Sequence, residues 1–416
     1  MKNSEDVMAN FAYEQVSPVL VEYTKWVLLE CQKIKINKVY FLARDGFVLR
    51  EIAQAICKKN NIDIDCRYLY VSRYSLRMPT FNLIGEEAYK MLFIKSYYYT
   101  LESILKRAGL DKNEIGQIAC ELKEQDIHKN LSKSEFQELT SKLKNSDTFN
   151  KILEKNSREA YDNIIRYFEE QKLFEEDKIV IVDSGWTGSM QRSLRQIADA
   201  YGYKGKITGF YFGLFTKQKE EDGEYLTYYF SANKNKKHKI MFNSNLFECM
   251  LSANHGMTMG YKLQEDKMVP VLNDYENKEM LKFINIQIDN IKKYALENID
   301  KLTISDFNLK KSIKFTYKKL KRIMIYPTKE EVKMLSNFTF CDDASEGYFM
   351  PLADKNQTKE LKAQMLIPRL FKFVFGKKKK NNPIFWPYGV IAFQPKVLRP
   401  WYRLNIMIWD FLRFTF

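Results

Sequence analysis

Residues 183–189 (DSGWTGS) bring one acidic side chain, three hydroxyl side chains and two glycines within seven consecutive positions. The backbone N–H groups of such a small-residue loop can converge on a phosphate, and the dipole of a helix that follows adds a favourable field. The acid before the loop, Asp183, can hold sugar hydroxyls or a metal ion. The pattern predicts an anion-binding loop, and the alternative interpretation is a plain turn between a strand and a helix.

Two further polar clusters follow apolar runs nearer the N-terminus. Arg44, Asp45 and Gly46 follow the run KVYFLA, and Ser72 and Arg73 follow CRYLYV. An arginine in either position can contact a phosphate, and the glycine permits a backbone geometry that other residues resist. The alternative for Arg44 is a structural salt bridge.

Short apolar runs alternate with segments of helical spacing, which predicts an α/β fold with a parallel sheet. The predicted strands span residues 38–43, 66–71, 179–182 and 206–214. The third strand is expected to end at Asp183, with a loop over 184–189 and a helix over 190–200. Ligands of open α/β sheets bind beyond the carboxyl ends of the strands. The three polar clusters are therefore expected at one edge of the sheet.

Glu248 stands in an otherwise apolar helical segment, NLFECML, which ends in the small-residue turn SANHG. A glutamate in apolar surroundings has a raised pKa and suits general-base catalysis. A position on the outer face of the helix fits the sequence equally well. His255, in the turn, is expected to form structural hydrogen bonds.

The 416 residues carry 67 Lys and Arg against 52 Asp and Glu, a net charge of +15, which favours an anionic partner. No helix-turn-helix, RRM, KH or zinc-finger signature is present, so nucleic acid is not expected. Six scattered cysteines and three histidines exclude an evident zinc site and suggest reduced thiols in the cytoplasm. The polar N-terminus does not resemble a signal peptide, and no apolar run is long enough to span a membrane.

The predicted organisation has four parts, namely an α/β core (1–83 and 176–272), a helical insertion (84–175), a helical region (273–365) and a basic, aromatic tail (366–416). Tryptophans mixed with Lys and Arg suit a helix that lies flat at an anionic membrane surface. Packing of the tail onto the body, or a dimer contact, is the alternative. The oligomeric state is not predicted.

Four segments, YFLARDGF, YLYVSRYSLR, VIVDSGWTGSMQ and FECMLSANHG, resemble in this order proteins from bacterial capsule and O-antigen loci. Such proteins are often labelled haloacid dehalogenase-like (HAD) hydrolases, because many carry a separate N-terminal phosphatase domain. This chain resembles their second domain, which is similar to type I phosphoribosyltransferases. The resemblance implies an open, mainly parallel α/β sheet of that family, with a helical insertion and a mostly helical C-terminal region.

The activity implied is transfer of a 5-phosphoribosyl group from phosphoribosyl pyrophosphate (PRPP) to an undecaprenyl-linked glycan, with release of pyrophosphate. A partner HAD phosphatase would then remove the 5-phosphate and leave ribofuranose in a surface polysaccharide. The enzyme would work at the inner face of the plasma membrane. The alternatives are an HAD-like sugar-phosphate phosphatase, whose D-x-D-x-T motif is missing, and a nucleotide-sugar glycosyltransferase, for which Asp63-Ile64-Asp65 is a weak match.

The resemblance also implies residue roles. Asp183 matches the second acid of the family pattern, and Val182 takes the place of the first. Asp183 would hold the ribose hydroxyls, and Glu248 would be the base for the acceptor hydroxyl. Mg²⁺ would bind through PRPP, with Asp183 as the one protein ligand considered. The implied PRPP-binding set is Arg44, Asp45, Gly46, Ser72, Arg73, Asp183, Ser184, Gly185, Trp186, Thr187, Gly188 and Ser189.

Overall fold

The computed structural model describes residues 3–94, 99–274, 277–340, 349–375 and 384–415. The first part of the chain contains α1 (Ser4–Asn10), a π-helical turn (Phe11–Val16), α2 (Ser17–Lys33), β1 (Lys38–Leu42), α3 (Gly46–Asn60), β2 (Asp65–Leu69), α4 (Arg73–Arg77), a 3₁₀ turn (Met78–Thr80), α5 (Glu87–Leu92), α6 (Leu101–Arg107), α7 (Lys112–Glu121), α8 (Lys133–Lys144) and α9 (Asp147–Glu170). The middle part contains β3 (Lys178–Trp186), α10 (Ser189–Tyr201), β4 (Lys206–Leu214), a 3₁₀ turn (Glu220–Asp222), β5 (Glu224–Phe230), α11 (Lys236–Ile240), α12 (Ser244–Leu251), β6 (Thr258–Gln264) and β7 (Lys267–Leu272). The last part contains α13 (Lys278–Glu297), a 3₁₀ turn (Ile299–Leu302), α14 (Leu309–Ile325), α15 (Lys329–Leu335), β8 (Thr339–Phe340), β9 (Met350–Pro351), α16 (Thr358–Ala363), α17 (Leu366–Phe375), α18 (Pro387–Ala392) and α19 (Arg399–Thr415).

Five of the strands form one sheet in the order β2-β1-β3-β4-β5, and every neighbouring pair is parallel. The predicted parallel α/β architecture is therefore confirmed. The strand order reverses between β1 and β3, because β2 lies on one side of β1 and all later strands lie on the other. Such a switch point opens a crevice at the carboxyl ends of the two strands, where ligands of open α/β sheets bind.

Helices cover both faces of the sheet, which explains why the strands are almost continuously apolar. Val180 and Val182 of β3 point into a large core shared with α2 and α3. Ile179 and Ile181 point to the other face, into a core shared with α10 and the end of α9. This alternation fixes the two faces on which the next residues of β3 emerge.

Strand β3 is longer than the sequence predicted. Asp183 does not end the strand, because Asp183, Gly185 and Trp186 continue the pairing with β4 as far as Leu214. The loop expected over 184–189 is thus reduced to residues 187 and 188. The pairing with β4, which a single sequence does not reveal, extends the strand through residues of low β-propensity.

The predicted helical insertion consists of helices α5 to α9 in its described residues. The first half of α9 packs within the insertion through Phe149 and Leu153. The second half belongs to the core under the sheet through Ile164, Tyr167 and Phe168. One long helix therefore connects the insertion directly to the sheet that carries the candidate site.

The helices after residue 277 pack into the same core as the sheet, through residues such as Ile284, Ile323 and Trp386. Thr328 caps the start of α15 and forms a capping box with Glu331. In the described parts of the chain, no helix combines the length and the apolar character needed to cross a membrane. The lysine run 377–380 lies outside the described residues.

Candidate functional site

The segment after β1 and the end of β3 meet at the switch point of the sheet. The hydroxyl of Ser184 donates a hydrogen bond to the carboxylate of Asp45. Gly46 begins α3 so close to β1 that an added Cβ atom would lie 2.6 Å from the carbonyl carbon of Phe41. Only glycine allows the helix to start there, and Asp45, the residue before it, lies beside Ser184 of β3.

Three carboxylates influence one another in this crevice. Burial raises the pKa of Asp45 to about 8, and the charges of Glu248 and Asp183 raise it further, against the Ser184 hydroxyl and Arg44. Burial also raises the pKa of Asp183 to about 6, although Arg73 and the backbone N–H groups of Ser184 and Gly185 favour its charged form. Part of the Asp45 residue remains accessible, while Asp183 is only 7% exposed. Negative charge is thus concentrated where little water can stabilise it.

Glu248 points into the site and not toward the outer face of its helix. Its carboxylate accepts a hydrogen bond of 2.6 Å from the indole N–H of Trp186, and Arg73 lies 3.6 Å away. The side chain of Asn243 caps the start of α12, so the helix is held at its first turn. The neighbours of Glu248 on α12, among them Phe247 and Cys249, are fully buried.

The backbone at the end of β3 adopts a rare conformation. Gly185 has a φ of 118° and Trp186 a φ of 78°, in the region that side chains disfavour. An added Cβ atom on Gly185 would lie 2.2 Å from the carbonyl oxygen of Gly213, so only glycine fits. The Trp186 ring is held among aromatic rings and by Glu248. Such unfavourable geometry persists where surrounding contacts enforce it, which is common at functional sites.

The short loop after β3 leads directly into α10. Thr187 is exposed, and Gly188 is buried in a left-handed conformation with a φ of 64°. Among the described residues no side chain caps the N-terminus of α10, and its first turn holds no acid. The helix start therefore offers unblocked N–H groups and a favourable dipole to an anion.

Ser72 and Arg73 stand at the carboxyl end of β2, as predicted, but their side chains differ in availability. The Ser72 hydroxyl is buried, accepts from the Ser75 N–H group as the cap of α4, and donates to the carbonyl of Thr258 at 2.6 Å. The Arg73 side chain is half exposed and extends toward Glu248. Ser72 thus orients the start of α4, from which Arg73 reaches the carboxylates.

The donor chemistry fits a magnesium ion that arrives with a phosphorylated substrate. Among the described residues no group of three or more His, Cys, Asp or Glu side chains forms a metal cage. Mg²⁺ is commonly bound by one or two carboxylates together with substrate phosphates. Asp45 and Asp183 supply two oxygen donors whose charged forms burial disfavours, and a cation beside them would favour those charged forms.

Sequence reasoning missed one residue that supports the site. The buried hydroxyl of Tyr23, on α2, donates to the carbonyls of Asp183 and Phe210, each at 2.9 Å. Tyr23 stands among apolar residues such as Leu20 and Val27, a pattern that marks it only as a core residue. Its phenol hydroxyl within that apolar face was the available signal. His255, in contrast, forms structural hydrogen bonds with the Tyr68 hydroxyl at 2.7 Å and with the carbonyl of Gly256 at 2.9 Å, as expected.

A cavity of about 460 Å³ lies at the β5 edge of the sheet, beyond the loop after β3. Its lining includes Trp26, Gln218, Tyr225 and Asn233, but none of the three carboxylates. Tyr225 also donates to the carbonyl of Gly188 at 3.4 Å, so the cavity wall supports the loop.

A comparison of the chain with known protein families finds no match, and a search of curated proteins finds no similar sequence.

Proposed function

We propose that the protein is a PRPP-dependent phosphoribosyltransferase with a type I phosphoribosyltransferase-like core. The observation that carries the proposal is the convergence, at one switch point, of Asp45, Asp183 and Glu248 with Arg73 and with an uncapped helix start. A sugar that carries phosphate groups at two ends needs anion sites on both sides of a group that holds its hydroxyls.

The donor would bind across the crevice between β1 and β3. Thr187, Gly188 and Ser189 would surround the 5-phosphate, because the loop and the start of α10 present N–H groups there. Asp183 would accept hydrogen bonds from the ribose hydroxyls. The pyrophosphate would lie toward the β1 and β2 ends, near Arg44 and Arg73.

Asp45 and Asp183 are the residues that would hold Mg²⁺ together with oxygens of PRPP. When bound, the ion would neutralise charge on the departing pyrophosphate. Burial raises the pKa of both carboxylates, and the charge of Asp183 raises that of Asp45 further, which supports this assignment.

The transfer step would form a bond between the acceptor oxygen and C1 of the ribose while the bond between C1 and pyrophosphate breaks. The electron pair of the broken bond leaves with pyrophosphate, and the proton of the acceptor hydroxyl passes to Glu248. A carboxylate directed into the crevice by α12 suits this role. Trp186 would hold Glu248 in place through its indole N–H group, without contacting the reacting atoms.

The acceptor proposed is an undecaprenyl-linked glycan of surface polysaccharide assembly, and a HAD phosphatase would act on the product. The lipid carrier would bring the enzyme to the inner face of the plasma membrane as a peripheral protein.

The nucleotide-sugar glycosyltransferase alternative depends on the Asp63-Ile64-Asp65 triplet. Asp65 of this triplet begins β2 and forms an ion pair with Arg67. That triplet lies at the amino ends of the strands, whereas Asp183 lies toward their carboxyl ends.

The first experiment measures PRPP binding by calorimetry and pyrophosphate release with Mg²⁺ and a lipid-linked glycan. We expect Asp183→Asn to abolish both, because the amide cannot replace the charged acceptor of ribose hydroxyls and metal. The matched control is Asp177→Asn, an exposed residue before the other end of β3, which should behave as wild type. Full transfer by Asp183→Asn, or phosphate release from a sugar phosphate without PRPP, would refute the proposal.

The second experiment tests Glu248 as the base. We expect Glu248→Gln to bind PRPP with nearly unchanged affinity but to lower kcat by about 100-fold or more, as loss of a general base does. The amide still accepts the Trp186 hydrogen bond, so the local structure should be preserved. A variant with wild-type kcat would remove Glu248 from the catalytic residues.

A further inference from the structure

The last helix, α19, presents a row of exposed apolar side chains at helical spacing. Val397, just before the helix, is 88% exposed, Trp401 51%, Leu404 56%, Ile408 38% and Phe411 54%. Positions three and four apart lie on one side of a helix, so Trp401, Leu404, Ile408 and Phe411 form a single stripe on α19. A contiguous exposed apolar patch rimmed by polar residues is typical of a surface that contacts a protein, a membrane or a ligand.

A second helix packs against α19 and also exposes apolar side chains. Helix α17 contacts α19, and it exposes Ile367 at 63% and Leu370 at 43%. We refer to the exposed side chains of both helices as the apolar face, which consists of Ile367, Leu370, Val397, Trp401, Leu404, Ile408 and Phe411.

The opposite side of the same segment is anchored in the protein. Trp386 is completely buried and donates its indole N–H to the carbonyl of Met324 at 2.8 Å, and Tyr402 and Ile406 of α19 belong to the main core. The carbonyl of Phe385 accepts a hydrogen bond from Asn243, the residue that caps the helix of Glu248. The apolar face is thus held by the same body that carries the candidate site.

The sequence of the segment that carries the face is strongly one-sided in charge. Residues 366–416 contain ten Lys or Arg and a single acid, Asp410. Nine of the fifteen excess positive charges of the chain therefore lie in its last 51 residues. Two copies of this segment would repel each other across a shared interface, whereas an anionic surface would attract it.

We infer that the apolar face is a docking surface for an anionic lipid bilayer, with α19 lying flat at the level of the headgroups. Tryptophan, leucine and isoleucine would enter the boundary of the acyl chains, and the surrounding basic residues would meet the lipid phosphates. This arrangement requires no helix that spans the membrane.

The docking surface also lies on the side of the protein where the parallel strands end, and the candidate site lies at the same ends of the strands. Helix α19 contacts α11, which follows β5 at the carboxyl end of the sheet. A bilayer at the apolar face would hold this edge close to a lipid-linked acceptor. The inference rests on the proposed function only for the identity of that acceptor, because lipid binding itself requires neither PRPP nor transfer.

The experiment measures co-sedimentation of the full-length protein with phosphatidylglycerol–phosphatidylcholine vesicles and with pure phosphatidylcholine vesicles, in the absence of PRPP. We expect binding to the mixed vesicles that weakens with salt, and much weaker binding to the neutral ones. The triple variant Trp401→Ser, Leu404→Ser, Ile408→Ser should lose at least about tenfold in partitioning, because three apolar groups no longer enter the bilayer.

The matched control is Leu263→Ser, Leu296→Ser, Ile299→Ser, which removes three apolar side chains that are 52%, 76% and 48% exposed elsewhere. This control should bind vesicles as the wild type does. Unchanged thermal unfolding of the first triple variant would show that it is folded. Absence of binding by the wild type, equal binding by the first triple variant, or dimers that only this variant dissociates in sedimentation velocity would each overturn the inference.

Discussion

Asp45 and Asp183 are the residues whose properties depend most on their position in the fold. Each has a pKa raised above the ordinary aspartate value of 3.8, to about 8 and about 6, first of all by burial. The folded protein therefore favours their protonated forms. The stability that the two protonated carboxyl groups contribute is complete below the ordinary aspartate pKa. It is lost as the pH rises through about 6 for Asp183 and through about 8 for Asp45. The site is thus least stable under the alkaline conditions in which both carboxylates are charged.

We predict that Asp45→Asn reduces this loss of stability. Between about pH 5 and pH 9 the Tm of the wild type should fall, and that of the variant should fall less, by a few degrees, because the neutral amide does not repel Asp183 and Glu248. Differential scanning calorimetry across this range measures the effect. The exposed Asp177→Asn variant should follow the wild-type curve. An Asp45→Asn curve parallel to the wild type would contradict the raised pKa.

At the scale of elements, the decisive feature is the irregular end of β3. The strand continues beside β4 beyond the point where β1 ends, and its last residues bend through positive φ values at Gly185 and Trp186. This bend directs Trp186 toward Glu248, on α12, and then turns the chain into the loop before α10. The Trp186 ring remains in the main core, and its indole N–H group reaches the carboxylate of Glu248.

We predict that Gly185→Ala destabilises the protein and prevents PRPP binding. The alanine Cβ would meet the Gly213 carbonyl oxygen at 2.2 Å in addition to the unfavourable φ, so the free energy of unfolding should fall by more than about 2 kcal/mol.

The control is Gly202→Ala at the end of α10, which has a φ of 91° but nothing within 4 Å of the added atom. Its cost should be only about 1–2 kcal/mol, with PRPP binding retained. Denaturant unfolding of both variants separates the steric clash from the backbone cost, and equal losses would argue against a clash.

At the scale of the whole molecule, the C-terminal segment is divided between the interior and the surface. The sequence offered membrane contact or packing onto the body as alternatives for residues 366–416. In the described residues, Trp386 and Ile391 are completely buried in the main core, whereas Trp401 is 51% exposed. The packing alternative is therefore correct for α18 and for one side of α19. The exposed side is the part that we infer to contact lipid.

We predict opposite results for two tryptophans of this segment. Trp386→Ala should lower the free energy of unfolding by about 3–5 kcal/mol, because it leaves a large cavity and removes the donor to the Met324 carbonyl. Trp401→Ala, at an exposed position, should change it by less than about 1 kcal/mol. Urea unfolding followed by circular dichroism measures both. A small effect at Trp386 would mean that the C-terminal segment does not complete the core.

The sequence alone determined the elements whose signals are local. The apolar run 206–214 predicted β4 with the bounds it has, and Thr328 three residues before Glu331 is the sequence pattern of the capping box that α15 has. The position of polar clusters after strands correctly indicated one edge of a parallel sheet, since parallel strands end together. These predictions succeeded because strand alternation and helix capping depend on residues a few positions apart.

Only the tertiary structure decided which polar residues meet. The pairing with β4 extends β3 through Trp186. Helix α12 directs Glu248 toward Trp186, and the turn before Gly46 places Asp45 beside Ser184. Each of these contacts joins residues far apart in the chain, and their energies depend on burial that no local pattern records. For the same reason the sequence could not separate the buried Trp386 from the exposed Trp401, because both stand among similar apolar and basic neighbours.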